Sequence, residues 1–257
     1  MEEITSRTNP KVVAAARLLK TAERRREGRA LLEGARLVAD AAENGYPIET
    51  LFVTASALGK YEDYLRLPLK TAGQTYTVAD HVAEKLAETA SPQGVFAVVR
   101  TEKTLPPVDP KGFYVCADDL QNPENLGALA RTAEAFGVTG LIVSGGADPY
   151  AGKSLRASMG ALLRLPVYSE TDAPAFLSSL REKGLSVFGA VLDPDAEDVR
   201  TINAAGGKVL VIGNEGAGIG ADVKRVCDKK VIIPMTGRAE SLNAAAAAAI
   251  LIWEFVR

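Results

Sequence analysis

Three segments hold polar residues at spacings that could serve chemistry, and each follows an apolar run. In Gln121–Val138, QNPENLGALARTAEAFGV, helical spacing puts Leu126, Leu129, Ala130, Ala133 and Phe136 on one stripe. Glu124, Ala128, Arg131 and Ala135 share the opposite side. A solvated face usually has several long polar side chains. A single arginine among alanines instead suits close approach of a ligand or a partner helix, and an exposed arginine beside inert alanines is the plainer alternative. In Gly213–Gly220, GNEGAGIG, the glycines let backbone approach a ligand, as in loops that hold dinucleotides or S-adenosylmethionine (SAM). In IIPMTGRAESLNAAAAAAILIWEFVR, Ser241 and Asn243 stand at a helix start, where side chains and free amides can bind polar atoms. A plain N-cap on a core helix would explain that segment alone. It would not explain three such turns after strands in one small domain.

Other chemistries are excluded by what is missing. The lone histidine, His81, leaves no room for a His-rich metal site or a Ser-His-Asp triad, so no metal is expected. Cys116 and Cys227 are too few and too far apart in sequence for a zinc knuckle, and a structural disulfide is not expected. LIVSGGADPYAGKS (Leu141–Ser154) misses the phosphate-loop spacing, because Ala147 stands where that motif needs glycine. Too few residues follow Gly220 for ordinary Rossmann order. The pairs Asp118-Asp119, Asp193/Asp195 and Glu197-Asp198 read as strand-end, turn or cap residues.

These segments must be positioned by regular elements. Apolar runs at Phe113–Ala117, Leu141–Ser144, Leu185–Leu192, Val209–Gly213 and Val231–Met235 predict buried strands. Helical patterns at Asn125–Phe136, Lys153–Leu163, Ala173–Lys183 and Ile219–Val226 alternate with them. That alternation predicts a mostly parallel sheet covered on both faces, with ligands at the strands' carboxyl ends. The linker Glu102–Gly112, EKTLPPVDPKG, separates this part (112–257) from residues 1–101. The smaller part predicts helices at Pro10–Glu27, Ala30–Glu43 and Asp80–Glu88. Its strands are expected at Thr50–Thr54, Gln74–Val78 and Val95–Val99, giving a small α/β sandwich.

The composition, 47% hydrophobic and 24% charged over 257 residues, is that of an ordinary globular protein. The longest uncharged runs, Ala135–Ala147 and Ser241–Trp253, fall short of the roughly 20 residues a membrane span needs. Met1-Glu2-Glu3 opens no signal peptide, so a cytoplasmic location is expected. Net charge is −2, yet Arg7, Lys11, Arg24, Arg25 and Arg26 belong to a cationic N-terminal stretch. It reads either as a phosphate-binding surface or as a solvated face of Glu–Arg pairs.

Together the segments resemble the three motifs of the SpoU–TrmH family of RNA ribose 2′-O-methyltransferases. The motifs are Asn125-Leu-Gly-Ala-Leu-Ala-Arg131, Val211-Ile-Gly213-Asn-Glu215-Gly-Ala-Gly218, and Ile233-Pro-Met235 followed by Glu240-Ser-Leu-Asn243. Arg156-Ala-Ser-Met-Gly-Ala161 also fits the family pattern. LLEGARLVADA (Leu31–Ala41) and SPQGVFAVV (Ser91–Val99) resemble the family's L30e-like substrate-binding domain. The polyalanine after Asn243 departs from the bulkier or hydroxyl residues common there.

The resemblance implies a trefoil-knotted SPOUT domain, SAM as methyl donor, no metal, and a homodimer that completes the site. It implies that Gly213, Ile233, Met235 and Leu242 hold SAM. Arg131 would be the general base or its phosphate-activated equivalent, with Asn125, Glu215, Ser241 and Asn243 orienting base and substrate. It gives weight to Arg7, Lys11, Arg24, Arg25 and Arg26 as an RNA surface. Ribosomal RNA is the expected substrate; tRNA, or a non-catalytic RNA-binding knot protein, are the alternatives.

Overall fold

The computed structural model describes residues 1–257, which form two compact units: 1–104 with 150–155, and 105–149 with 156–257. No helix is long and apolar enough to cross a membrane.

The first unit is built on a five-stranded mixed sheet. Its strands are β1 (Glu2–Ile4), β2 (Arg29–Glu33), β3 (Ile48–Val53), β4 (Gln74–Val78) and β5 (Val95–Arg100), in spatial order β1-β4-β3-β5-β2. The run Val95–Val99 is buried on both faces and lies between β3 and β2, antiparallel to each. Helices α1 (Pro10–Arg17), α2 (Thr21–Glu27), α3 (Ala35–Glu43), α4 (Ala55–Lys60), α5 (Glu62–Thr71) and α6 (Asp80–Leu86) complete the unit. Val12, Ala15, Val82 and Leu86 of α1 and α6 pack on Phe52, Tyr76, Phe96 and Val98 of the sheet.

Two expected helices differ here. The Ala30–Glu43 helix begins as a strand, because Gly28 (φ 61°) ends α2 and Gly34 (φ 111°) breaks the chain before α3. Ala30, Leu31 and Leu32 are all buried, as a strand with two covered faces requires. The Pro10–Glu27 helix is interrupted at Leu18–Lys20. There the Arg24 guanidinium donates to the carbonyls of Leu18 (2.8 Å) and Leu19 (2.9 Å) and to the Thr21 hydroxyl (2.8 Å).

The second unit has seven strands: β6 (Phe113–Asp118), β7 (Gly140–Ser144), β8 (Val167–Glu170), β9 (Ser186–Ala190), β10 (Glu197–Asp198), β11 (Lys208–Ile212) and β12 (Lys229–Ile232). The order is β10-β12-β9-β11-β6-β7-β8 and every pairing is parallel. The chain runs outward from β6 to β8, returns to β9, and then inserts β11 between β9 and β6. The helices are α7 (Pro123–Ala135), α8 (Gly152–Ala157), α9 (Ala161–Arg164), α10 (Ala173–Glu182), α11 (Ala221–Val226) and α12 (Ala244–Val256). The expected Lys153–Leu163 helix is split because Met159 (φ 51°) and Gly160 (φ 85°) take left-handed backbone.

Burial explains the β-sheet's unbroken apolar strands; all six residues of β6 are buried. Cys116 and Cys227 are free thiols in one core cluster with Val187, Val211 and Val223. Burial, reinforced by nearby Asp228 and Asp118, pushes the Cys227 thiol up to about 11. α12 packs against α7, and Lys208 anchors its C-terminal end by donating to the Phe255 carbonyl (2.9 Å) and the Ala204 carbonyl (2.6 Å). That burial lowers the Lys208 pKa.

Candidate functional site

The loop after β11 is shaped by its glycines and one asparagine. A Cβ on Gly213 would lie 2.3 Å from the backbone of both Gly218 and Ile219, so only glycine lets the loop close there. Asn214 and Gly218 exchange two backbone hydrogen bonds of 2.9 Å, making a tight ring. The Asn214 side chain accepts from the amides of Gly216 and Ala217, each at 2.9 Å, and donates to the Asp119 carbonyl at 3.0 Å. Asp118 accepts from the Gly220 amide at 2.8 Å, and burial raises its pKa. The ring is thereby tied to the carboxyl end of β6.

Glu215 is carried on this ring to the start of α7. Its carboxylate accepts from the amides of Gln121 (3.0 Å) and Asn122 (3.1 Å) and from the Asn125 carboxamide (2.8 Å). An anion is favoured there by the helix dipole and by the amides left free at a helix start. Partial burial would raise the Glu215 pKa, but those bonds and its own amide outweigh it and hold the carboxyl below its ordinary value.

Asn125 in turn accepts from the Asn243 carboxamide at 3.0 Å. Asn243 caps α12, its oxygen accepting from Ala245 (3.0 Å) and Ala246 (3.2 Å). The cap decides every orientation in the relay. The Asn243 oxygen is committed to backbone amides, so its NH2 must donate to Asn125, whose own NH2 then faces the Glu215 carboxylate. Asn125 is 8% exposed, so the relay has a buried centre.

Beside the relay lies a cavity of about 510 Å³ at the carboxyl ends of β9, β11 and β12. Gly213, Ile233, Met235 and Leu242 line it, as do Glu215, Ser241 and Asn243. Ala190–Asp193, the end of β9 and the three residues beyond it, form a wall that the sequence reading missed. Asp193 is held there by Lys230 (3.1 Å) and Lys224 (3.2 Å), which lower its pKa. A strand end next to the inserted β11 was the available signal, since parallel sheets bind ligands where strand order reverses.

Arg131 is elsewhere. It is exposed on α7, makes no hydrogen bond or ion pair, and does not line the cavity. Six residues beyond Asn125, it is rotated about a third of a turn from it and about 9 Å along the axis. Asn125, Glu215 and Asn243 are brought together; Arg131 is not brought to them within one chain.

The basic residues of the first unit separate as well. Arg24 is 5% exposed and spent on the turn after α1, so it is a residue of the fold and not of an RNA-facing surface. Arg7, Lys11, Arg25 and Arg26 are exposed. Arg7 pairs with Glu84, and Arg26 pairs with Glu23 (2.6 Å) and Glu27 (3.0 Å). The Lys11 ammonium lies 4.0 Å from the centre of the Tyr76 ring.

Residues 112–253 match the SpoU rRNA Methylase family, and residues 9–97 match the MRM3-like substrate binding domain. The chain belongs to the SpoU methylase family. It is 32% identical over 256 residues to the Bacillus subtilis 23S rRNA (guanosine(2553)-2′-O)-methyltransferase RlmP, covering 98% of each chain. It is 34% identical to the 23S rRNA (uridine(2479)-2′-O)-methyltransferase of Streptomyces viridochromogenes, over 91% of this chain and 85% of that one. Among solved structures, the AdoMet-bound rRNA methyltransferase from Sinorhizobium meliloti is 30% identical with a TM-score of 0.88. That match covers 99% of this chain and 97% of the other. The second unit of this SpoU family member has the trefoil-knotted SPOUT fold, preceded by the substrate-binding domain.

Proposed function

We infer that the protein transfers the methyl group of SAM to a ribose 2′-hydroxyl of ribosomal RNA. The observation that carries this reading is the Asn243–Asn125–Glu215 relay standing on the wall of the cavity between the β9, β11 and β12 loops. The cavity suits SAM in size and in kind. About 510 Å³ lies within the range of small-ligand sites. Apolar Val191, Ile233, Met235 and Leu251 offer surface for the adenine and methionine parts, and loop backbone at Gly213 and Leu242 offers polar contacts. SAM supplies a methyl carbon on a sulfonium, which the 2′-oxygen attacks in line as the C–S bond breaks. A sulfonium is already activated, so we propose that no metal takes part.

The chain's own residues orient the reactants. Glu215, Asn125 and Asn243 fix the start of α7 against the start of α12, and Ser241 stands exposed beside them for the ribose. Alignment of donor and acceptor is worth on the order of 7–11 kcal/mol. Arg131 acts as the phosphate-activated equivalent of a general base: its charged fork grips an RNA phosphate, and an oxygen of that phosphate takes the proton of the 2′-hydroxyl.

Since Arg131 stands apart from its own chain's relay, we propose that a second copy completes the site. α12 is apolar but for Glu254, which pairs with Arg257, and Phe136, Ile250, Trp253 and Val256 stay substantially exposed, with Trp253 at 51%. A helix of that kind belongs in an interface. Phe136 and Trp253 meet with tilted rings 5.4 Å apart between centres, joining α7 and α12 into one patch. Two-fold pairing of that patch would bring α7 of one chain beside α12 of its partner.

We assign RNA capture to the first unit, through exposed Arg7, Lys11, Arg25 and Arg26. A cytoplasmic location follows from a ribosomal RNA substrate. The test is transfer of tritium from methyl-labelled SAM to unmodified 23S rRNA, with tRNA alongside and EDTA present, followed by mapping of 2′-O-methyl sites. Label in tRNA alone would move the substrate, dependence on magnesium with RNA folding controlled would remove the metal-free mechanism, and no label in any RNA would leave a binding protein.

A further inference from the structure

The arginines of the second unit are nearly all committed. Arg164, Arg181, Arg200, Arg225 and Arg257 are each paired with a carboxylate, and Arg156 is engaged too. Only Arg131 and Arg238 make neither an ion pair nor a hydrogen bond. Arg238 is exposed in the loop from β12 to α12, and even Glu240, two residues on, does not pair with it. Its place is specific. Met235 and Ser241, three residues to either side, both line the cavity, while Arg238 does not. Three residues of chain span at most about 11 Å, so Arg238 is confined to the cavity's rim.

We propose that Arg238 grips a phosphodiester of the RNA strand beside the ribose being methylated, as a positioning residue; this rests on the RNA methyl-transfer reading above. The guanidinium is always charged, and its planar fork matches two phosphate oxygens. Phosphate contacts set the register of a nucleic acid on a protein, and register decides which 2′-oxygen meets the methyl carbon. The other anion available at this rim is the carboxylate of SAM. The cation that does line the cavity, Lys224, is held by Asp193, and Arg238 lies outside the lining. The geometry therefore favours the RNA.

The experiment uses the full chain with Arg238→Ala and Arg238→Lys, unmodified 23S rRNA made by transcription, and labelled SAM. Alanine should raise the KM for RNA about tenfold, the loss of one charge-assisted contact. It should also flatten the slope of log affinity against log salt by about 0.7, one phosphate's share on a single strand. SAM affinity by calorimetry should match wild type. Lysine should restore the salt slope while recovering only part of the KM. Wild-type KM and salt slope in the alanine variant would overturn the proposal, as would lost SAM affinity with RNA binding intact. Failure of the wild-type protein to methylate rRNA would instead sink the functional reading, and the salt slopes would still decide the role of Arg238.

Discussion

Replacing Asn125 by aspartate keeps its shape and removes the side-chain donor that faces Glu215, leaving the amides of Gln121 and Asn122 in place. The amide nitrogen now 2.8 Å from Glu215 would become a carboxylate oxygen, while Asn243 could still donate to the other oxygen. Two effects add. Losing a hydrogen bond to a charged acceptor costs about 1.5–3 kcal/mol, and Asn125→Ala shares that loss. The second effect belongs to aspartate alone: two like charges about 4 Å apart repel by about 4 kcal/mol at an effective dielectric of 20. Glu215 is on an exposed loop, so screening reduces this to about 1–3 kcal/mol. At about 1.4 kcal/mol per pKa unit, the pair's upper pKa should rise by roughly one or two units above the ordinary carboxylate value.

The sign follows from linkage. A raised native pKa means that the folded variant binds the proton more tightly than the unfolded chain, so its extra deficit grows as pH rises through the native value. It shrinks again toward the unfolded value near 4. Wild-type Glu215, held below its ordinary pKa, contributes its stability in full at pH 8, begins to lose it near pH 4.5 and loses the rest as pH falls through the lowered value. Urea unfolding of the second unit, followed at pH 4.5 and pH 8, should therefore show Asn125→Asp close to Asn125→Ala at the lower pH and clearly less stable at the higher. Equal losses for both variants at both pH values would refute an ionised Glu215 bonded to Asn125.

Gly213→Ala should cost roughly 1–3 kcal/mol, because its methyl meets backbone that cannot swing aside; SAM affinity by calorimetry should fall with it. Arg131→Ala and Arg131→Lys should both lose about a hundredfold or more in single-turnover rate, the scale of an acid–base group, with SAM affinity near wild type. Recovery of the lysine variant at pH 10 would show that the fork is dispensable. Trp253→Asp should turn a dimer into a monomer in sedimentation analysis and abolish turnover; a fully active monomer would defeat the composite site. Deleting charge at Arg25 and Arg26 together should weaken RNA binding and its salt dependence, measured by filter binding, whereas Arg24→Ala should chiefly lower the melting temperature.

Much of the second unit was legible because its physics is local. Strands buried on both faces must be unbroken apolar runs, so β6, β7, β9 and β11 stood out, and the helices between them showed their stripes; β12 opens on two lysines and shares only Val231 and Ile232 with the expected run Val231–Met235. β8 and the two-residue β10 were not legible, since short strands leave no periodicity to read. Glycine was ambiguous in the same way: Gly34 could sit inside a helical pattern on paper, and only its backbone angle made it a break. The motif residues Gly213, Glu215, Ile233, Met235, Ser241, Leu242 and Asn243 were identifiable through their match to the SpoU–TrmH motifs. Their convergence on one cavity depends on β11 being inserted between β9 and β6, a long-range pairing that no local pattern encodes. The same holds for charge. Arg24, Arg25 and Arg26 are equal in the sequence, but a helix presents consecutive residues 100° apart, so packing buried one to hold a turn and left its neighbours in solvent. Residue type determined what chemistry this protein could perform; the insertion of one strand and the burial of one helix face decided which residues meet to perform it.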